Sequence, residues 1–99
     1  MLWRHGDVFL ARVETIPTGL RKLPHCRLAE GEITGHAHRI SEPHTADLFE
    51  GNGERFLHIR APQATLMHEE HAPITLEQGI YRVWIQREYS PEEIRRVID

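Results

Sequence analysis

The sequence predicts an all-β protein: six or seven short antiparallel strands closed, or nearly closed, into a small barrel, with a short helix at the C-terminal end. Three observations carry this expectation. The apolar runs are short and alternate with a period of two. Gly, Pro or Asn-Gly punctuates them at close intervals. Helical spacing with a proper start signal appears only after residue 89. A chain of 99 residues has room for a single domain, 1–99, with one modest core. Closing the sheet is the economical way for so small a domain to protect its strand edges. A two-sheet sandwich is the alternative architecture.

The first strand is expected over Gly6–Glu14, with Val8 and Leu10 on one face and Phe9, Ala11 and Val13 on the other. Apolar residues on both faces read as a well-buried strand. Pro17-Thr18-Gly19 ends it, and Leu20–Pro24 reads as a basic surface loop. Cys26–Glu30 is a short strand candidate, followed by Ile33–Ile40, on which Thr34, His36, His38 and Ile40 share a face. Gly35 and Ala37 on the reverse side are small enough to let a backbone or ligand approach. Ser41–Thr45, with Pro43, is a loop.

Ala46–Glu50, Gly51-Asn52-Gly53 and Glu54–Arg60 form the plainest hairpin in the chain. Ala61-Pro62-Gln63 reads as a break, Ala64–Glu69 as a further strand, and Glu77-Gln78-Gly79 as a turn. Pro73 requires the chain to leave the line of the preceding strand near His71. Ile80–Tyr89 alternates Tyr81, Val83 and Ile85 against Arg82, Trp84 and Gln86. Ser90-Pro91-Glu92-Glu93 is a helix start, with Ile94, Val97 and Ile98 placed to dock on the sheet.

Composition bounds the function. The chain is 39% hydrophobic and 27% charged, which places it among globular rather than disordered sequences. No apolar run approaches the roughly 20 residues of a membrane-spanning helix, so no membrane partner is expected. The opening Met1-Leu2-Trp3-Arg4-His5 lacks the layout of a signal peptide, and the cytoplasm is the expected location. Cys26 is the only cysteine, which excludes a disulfide framework and a thiolate metal cluster. A net charge of −3 argues against nonspecific nucleic-acid binding by charge alone.

The chain carries eight histidines, and the informative ones fall into two blocks. His36 and His38 are two apart on a strand and project side by side. His68 and His71 are three apart and can converge only through a bend, a bulge or a helical turn. If the four imidazoles meet, they suit a divalent transition metal such as zinc, nickel or iron. Should only one of the second pair join, His68 is the better candidate, leaving three ligands and an open position for water. Glu70 or Glu69 would then orient an imidazole or act as a general base. His5, His25, His44 and His58 read as ordinary surface or core residues.

Two alternatives stay open. One is metal-free phosphodiester or RNA cleavage, with the histidine pairs as general acid and base and Arg39 as charge stabiliser, Arg87 and Tyr81 being further supporters. The partner would then be a nucleotide or RNA phosphate, where the metal reading takes a small molecule. The other alternative is a non-catalytic β-barrel interaction module. Residual edge strands point to a homo-oligomer. No organic cofactor is expected.

Two resemblances bear on these readings. His36-x-His38 followed by Glu42 resembles the first metal motif of cupins, over about a dozen residues. The blocks Glu30–Arg39, His68–Ile74 and Gln86–Pro91, with Gly6-Asp7-Val8 near the start, are similar to a family of small uncharacterised bacterial proteins. These share Gly-His-x-His and His-Glu-x-His blocks. That likeness brings no activity with it; it adds some support to a site at the histidine blocks and does not choose the reaction.

Overall fold

In the computed structural model, which describes residues 1–30 and 36–86, the chain opens with a hairpin of β1 (Leu2–His5) and β2 (Val8–Val13). His5 pairs with Val8, so Gly6-Asp7 is a two-residue loop. Gly6 has φ +64° and Asp7 is not among the positive-φ residues. Glycine first and an ordinary residue second is the pattern of a type II′ turn. Short β3 (Arg21–Lys22) and β4 (Arg27–Glu30) precede β5 (Ala37–Ile40). One 3₁₀ turn at Pro43–Thr45 leads into β6 (Ala46–Gly51). The expected hairpin follows, with a loop one residue shorter than expected: Asn52 and Gly53, at φ 54° and 77°, make a two-residue I′ turn, and Gly51 belongs to the strand opposite Glu54.

The rest of the described chain is one long ribbon of β7 (Glu54–His68) and β8 (His71–Ile85), 15 residues each. Here the expected layout is corrected. Ala61-Pro62-Gln63 does not break the chain, and Glu77-Gln78-Gly79 does not turn it. Both lie within strands, at a shift of register between the Ile59–Gly79 and Gln63–Glu77 pairs. Three residues on β7 face one on β8 across this shift, so the ribbon bulges and bends. Pro62, which has no N–H to donate, sits where the ladder is already interrupted. The carbonyls released there are caught by side chains: Gln78 Nε2 donates to Arg60 O at 2.8 Å, and Arg12 donates to Gln78 O at 2.8 Å.

The bend decides the architecture. A straight strand of this length would hold its ends about 45–50 Å apart. Instead, Ala72 near the start of β8 bonds to His5, while Ile85 at its end pairs with Val8, which also pairs with His5. The ribbon therefore doubles back, with the apolar faces of its two halves turned inward. Between them lie Val8, Leu10, Leu48, Leu57, Ile59, Leu66, Leu76, Tyr81 and Val83, all in one buried cluster. Tyr81 donates from its hydroxyl to Glu77 O at 2.6 Å, which satisfies its one buried polar group.

All pairings are antiparallel, in the order β1-β2-β8-β7-β5-β4, with β6 on β7 and β3 on β6. β7 gives its first half to β6 and its second half to β5. The result is an eight-stranded curled sheet, a half-barrel that stays open, because β1 and β4 do not pair. This corrects the expected closed or nearly closed barrel of six or seven strands. Curvature comes from a folded ribbon and not from joining the edges. The expected C-terminal helix lies outside the described residues, as do Ile33, Thr34, Gly35, Arg87 and Glu88. Among the described residues, no helix is long and apolar enough to cross a membrane.

A histidine cluster at the closed end of the ribbon

The tip of the β7–β8 ribbon is a two-residue hairpin. His68 pairs with His71 across it, and Glu69-Glu70 is its loop. The odd spacing that looked awkward for a strand thus places the two imidazoles opposite each other, with ring centroids 4.8 Å apart. A second register shift, between the Leu66–Ile74 and His68–His71 pairs, gives β8 one extra residue at Ala72-Pro73. The tip is pinned by His5, whose Nε2 donates to Ala72 O at 2.9 Å.

β5 lies beside this tip, with Arg39 opposite Met67 and Ile40 opposite Leu66. Continuing that register brings His38 next to His68, and their ring centroids are 4.3 Å apart. His36 reaches His68 as well, at 5.8 Å. His38 further lies 5.6 Å from His71 and 4.9 Å from His5. Five imidazoles, from residues 5, 36, 38, 68 and 71, therefore share one end of the molecule. Sequence reasoning put His5 among the ordinary histidines, yet it is 3% exposed and bonded on both ring nitrogens. The signal that could have found it was Gly6-Asp7, a two-residue turn that returns the chain directly after His5.

The acidic residues sort themselves by partner. Glu69 Oε1 accepts from Ala37 N–H at 3.1 Å, and Oε2 pairs with Arg39 at 2.9 Å. The Ala37 N–H, with lesser help from Arg39 and His36, holds this carboxyl below its usual range against the opposing effect of burial. Glu70 places Oε2 at 3.5 Å from His36 Nδ1, a buried atom with no hydrogen-bond partner among the described residues. The Glu70 N–H donates to His68 Nδ1 at 3.0 Å. Asp7 Oδ1 lies 3.4 Å from His38 Nε2.

Burial, ahead of the neighbouring His68 and His5, pushes the pKa of His38 down to about 4, with Asp7 opposing. Burial lowers His5 too, opposed by its bond to Ala72 O and helped by His71 and His68. His38 and His5, the two buried rings of the cluster, are thus neutral imidazoles, the protonation state in which histidine binds metals.

His36, His68 and Glu69 each place a donor atom within 4.8 Å of the other two. Bonds of about 2.0–2.2 Å to one ion hold donors roughly 3.3 Å apart, so small side-chain turns would close this group around an ion. His38 and His71 are expected ligands that stand outside this group of three, though in the same cluster.

Other expected contributors have partners of their own. Arg39 is committed to Glu69 and to Ala37 O. Tyr81 is a core residue. Glu42, the acid of the cupin-like spacing, accepts from Thr65 N–H and Thr65 Oγ1 at 2.9 and 3.0 Å, so its carboxylate anchors the loop before β6.

A family model described as "Domain of unknown function (DUF8820)" matches residues 4–86. That span includes His5, Asp7 and both histidine blocks. No curated protein and no solved structure is significantly similar to the chain.

Proposed function

The chain belongs to the DUF8820 family, a domain of unknown function, and from the geometry of its histidine end we propose that it binds a divalent transition-metal ion through His36, His68 and Glu69. The observation that carries this reading is the approach of those three donor sets within 4.8 Å inside a cluster of imidazoles. Two imidazoles and one carboxylate suit zinc, nickel or iron(II). The buried Nδ1 of His36 has Glu70 within 3.5 Å, where a carboxylate would fix the ring from behind. Arg39 holds Glu69 in place and is a positioning residue in this reading.

Three protein ligands leave positions for water and substrate. The chemistry that follows is hydrolysis of a small substrate with an electrophilic carbonyl or phosphoryl group, the ion lowering the pKa of a bound water. Metal-free acid–base cleavage gains less support, because Arg39, its charge stabiliser, already answers Glu69 and Ala37 O. The test is elemental analysis and calorimetric titration of untagged protein. At least one equivalent of tightly bound zinc, nickel or iron is expected. Absence of metal as purified, with no uptake on addition, would remove the reading.

A further inference from the structure

We propose that the outward face of the β1–β2–β8–β7 sheet is a self-association surface, on which a second copy of this chain docks face to face. It involves none of the metal-binding side chains and stands apart from that reading.

Val8, Leu10, Leu57, Tyr81 and Val83 point into the core, so the residues alternating with them point outward. An antiparallel sheet with one face on a core ordinarily turns polar side chains to water on the other. This sheet does not. Phe9, Val13, Ile80 and Trp84 are outward and only half-buried, and Leu2 is 62% exposed. Phe9 and Trp84 lie stacked, with ring centroids 5.8 Å apart and planes at 18°, and form an aromatic plate in the middle of the face. A contiguous apolar patch of this kind on a small domain marks a site of association.

The pattern across the strands says what associates with it. The register aligns Arg4, Phe9 and Trp84 in one row, and Glu54 follows Trp84 because Arg55 pairs with Val83. The next row reads Leu2, Ala11, Arg82 and Phe56, and a third holds Val13 and Ile80. Each row is complementary to itself when reversed. A two-fold axis along the strands, between β2 and β8, sets Arg4 against Glu54 of the partner subunit and Phe9 against the partner's Trp84. In the same operation Leu2 meets the partner's Phe56, Val13 meets the partner's Ile80, and the small Ala11 meets the long side chain of the partner's Arg82.

Opposite charges, matched rings and small against large are what an isologous interface requires. Two sheets packed this way keep their strands roughly aligned and lie about 10 Å apart. Arg4 and Glu54 stand three strands apart, about 14 Å, with Phe9 and Trp84 between them, so their pairing belongs to the interface. Glu54 Oε2 lies 3.4 Å from Arg82 of its own chain, and Oε1 has no partner among the described residues. The sheet curls away on either side, which confines the contact to these four strands, a face of roughly 20 by 20 Å. That is small for a specific interface, and a dissociation constant on the order of tens of micromolar is expected. The homo-oligomer expected from residual strand edges is thereby built from sheet faces.

Sedimentation equilibrium of the untagged full chain in chelator, from about 1 to about 300 µM, reads the association without metal-bridged pairs, and the wild type is expected to dimerise within that range. Leu2→Glu, at an exposed position, should weaken the dimer about tenfold or more. Arg4→Glu and Glu54→Arg each set like charges opposite one another and should be monomeric alone over the same range. Mixed in equal amounts they should dimerise again, because each reversed charge then meets its opposite on the other variant. A wild type that stays monomeric would overturn the inference; if Ile94→Asp then released a dimer, the face would belong to the chain's own residues 87–99 instead. A dimer left unchanged by all three substitutions would use another face and overturn it too. Two charge variants that stay monomeric when mixed would overturn the assigned geometry.

Discussion

His5 and His38 share a buried contact of 2.9 Å between their Nδ1 atoms, which ties the first hairpin to the strand carrying the His-x-His pair. The same His5 ring holds the Ala72 carbonyl with its other nitrogen. One side chain therefore fastens three segments: the start of the chain, β5 and the tip of the β7–β8 ribbon.

Replacing His5 by phenylalanine should be costly even though an aromatic ring is kept. It leaves Ala72 O and His38 Nδ1 unpartnered in a site that water does not reach freely. Each orphaned group costs about 1–3 kcal/mol, so a loss of roughly 2–6 kcal/mol is expected in urea unfolding of chelator-treated protein. A change under about 0.5 kcal/mol would mean that the His5 bonds do not hold the ribbon closed.

Acid should weaken the metal-free protein over a defined window. His38 is lowered to about 4 in the folded state, against about 6.5 when unfolded. Below pH 6.5 the unfolded chain binds the proton first, so stability falls as pH drops from 6.5 towards 4 and is flat above it. The difference corresponds to roughly 3 kcal/mol at the lower end, and the lowered His5 acts in the same direction. Thermal melts in chelator between pH 4.5 and 7.5 would show it, and His38→Gln should flatten the slope. Equal melting temperatures at pH 4.5 and 7 would contradict the burial of a neutral His38.

The pH window also shows which parts of the site could be read from the chain alone. His36-x-His38 on a strand, and the Asn52-Gly53 hairpin, are local patterns whose meaning does not depend on distant partners. Pro62 and Gly79 are different. A proline or glycine marks a turn and a bulge equally well, and only the pairing of β7 with β8 decides between them. His5 was invisible for a related reason. The adjacent Gly6-Asp7 turn shows where the chain returns but not what His5 meets, because its role arises when the bent ribbon returns residue 72 to residue 5.

Glycine substitutions separate backbone strain from crowding. Gly6 and Gly19 both have positive φ, at +64° and +88°. A Cβ at Gly19 meets nothing within 4 Å, while one at Gly6 runs into the His71 and His38 rings. Gly19→Ala should cost about 1 kcal/mol from backbone strain. Gly6→Ala should cost more, about 2 kcal/mol, because the His71 ring, 2.7 Å from the added Cβ, must also move off its place beside His38. Urea denaturation of the two variants side by side decides this. Equal losses would show that the space over His71 is not needed.

Metal should act as a clasp on the fold. His36 enters β5, whereas His68 and Glu69 belong to the tip of the β7–β8 ribbon, so one ion on these three donors joins segments more than thirty residues apart in the chain. An ion that binds only the folded form adds about 2.7 kcal/mol at a free concentration one hundred times its dissociation constant. Chelated protein given Zn²⁺ in that excess should therefore melt several degrees higher, and His36→Gln should lose most of the increment. Eight histidines also give the unfolded chain some affinity for zinc, which reduces the gain without changing its sign while the folded site is the tighter one. A melting temperature unchanged or lowered by zinc in the wild type would show that the three donors do not close around an ion.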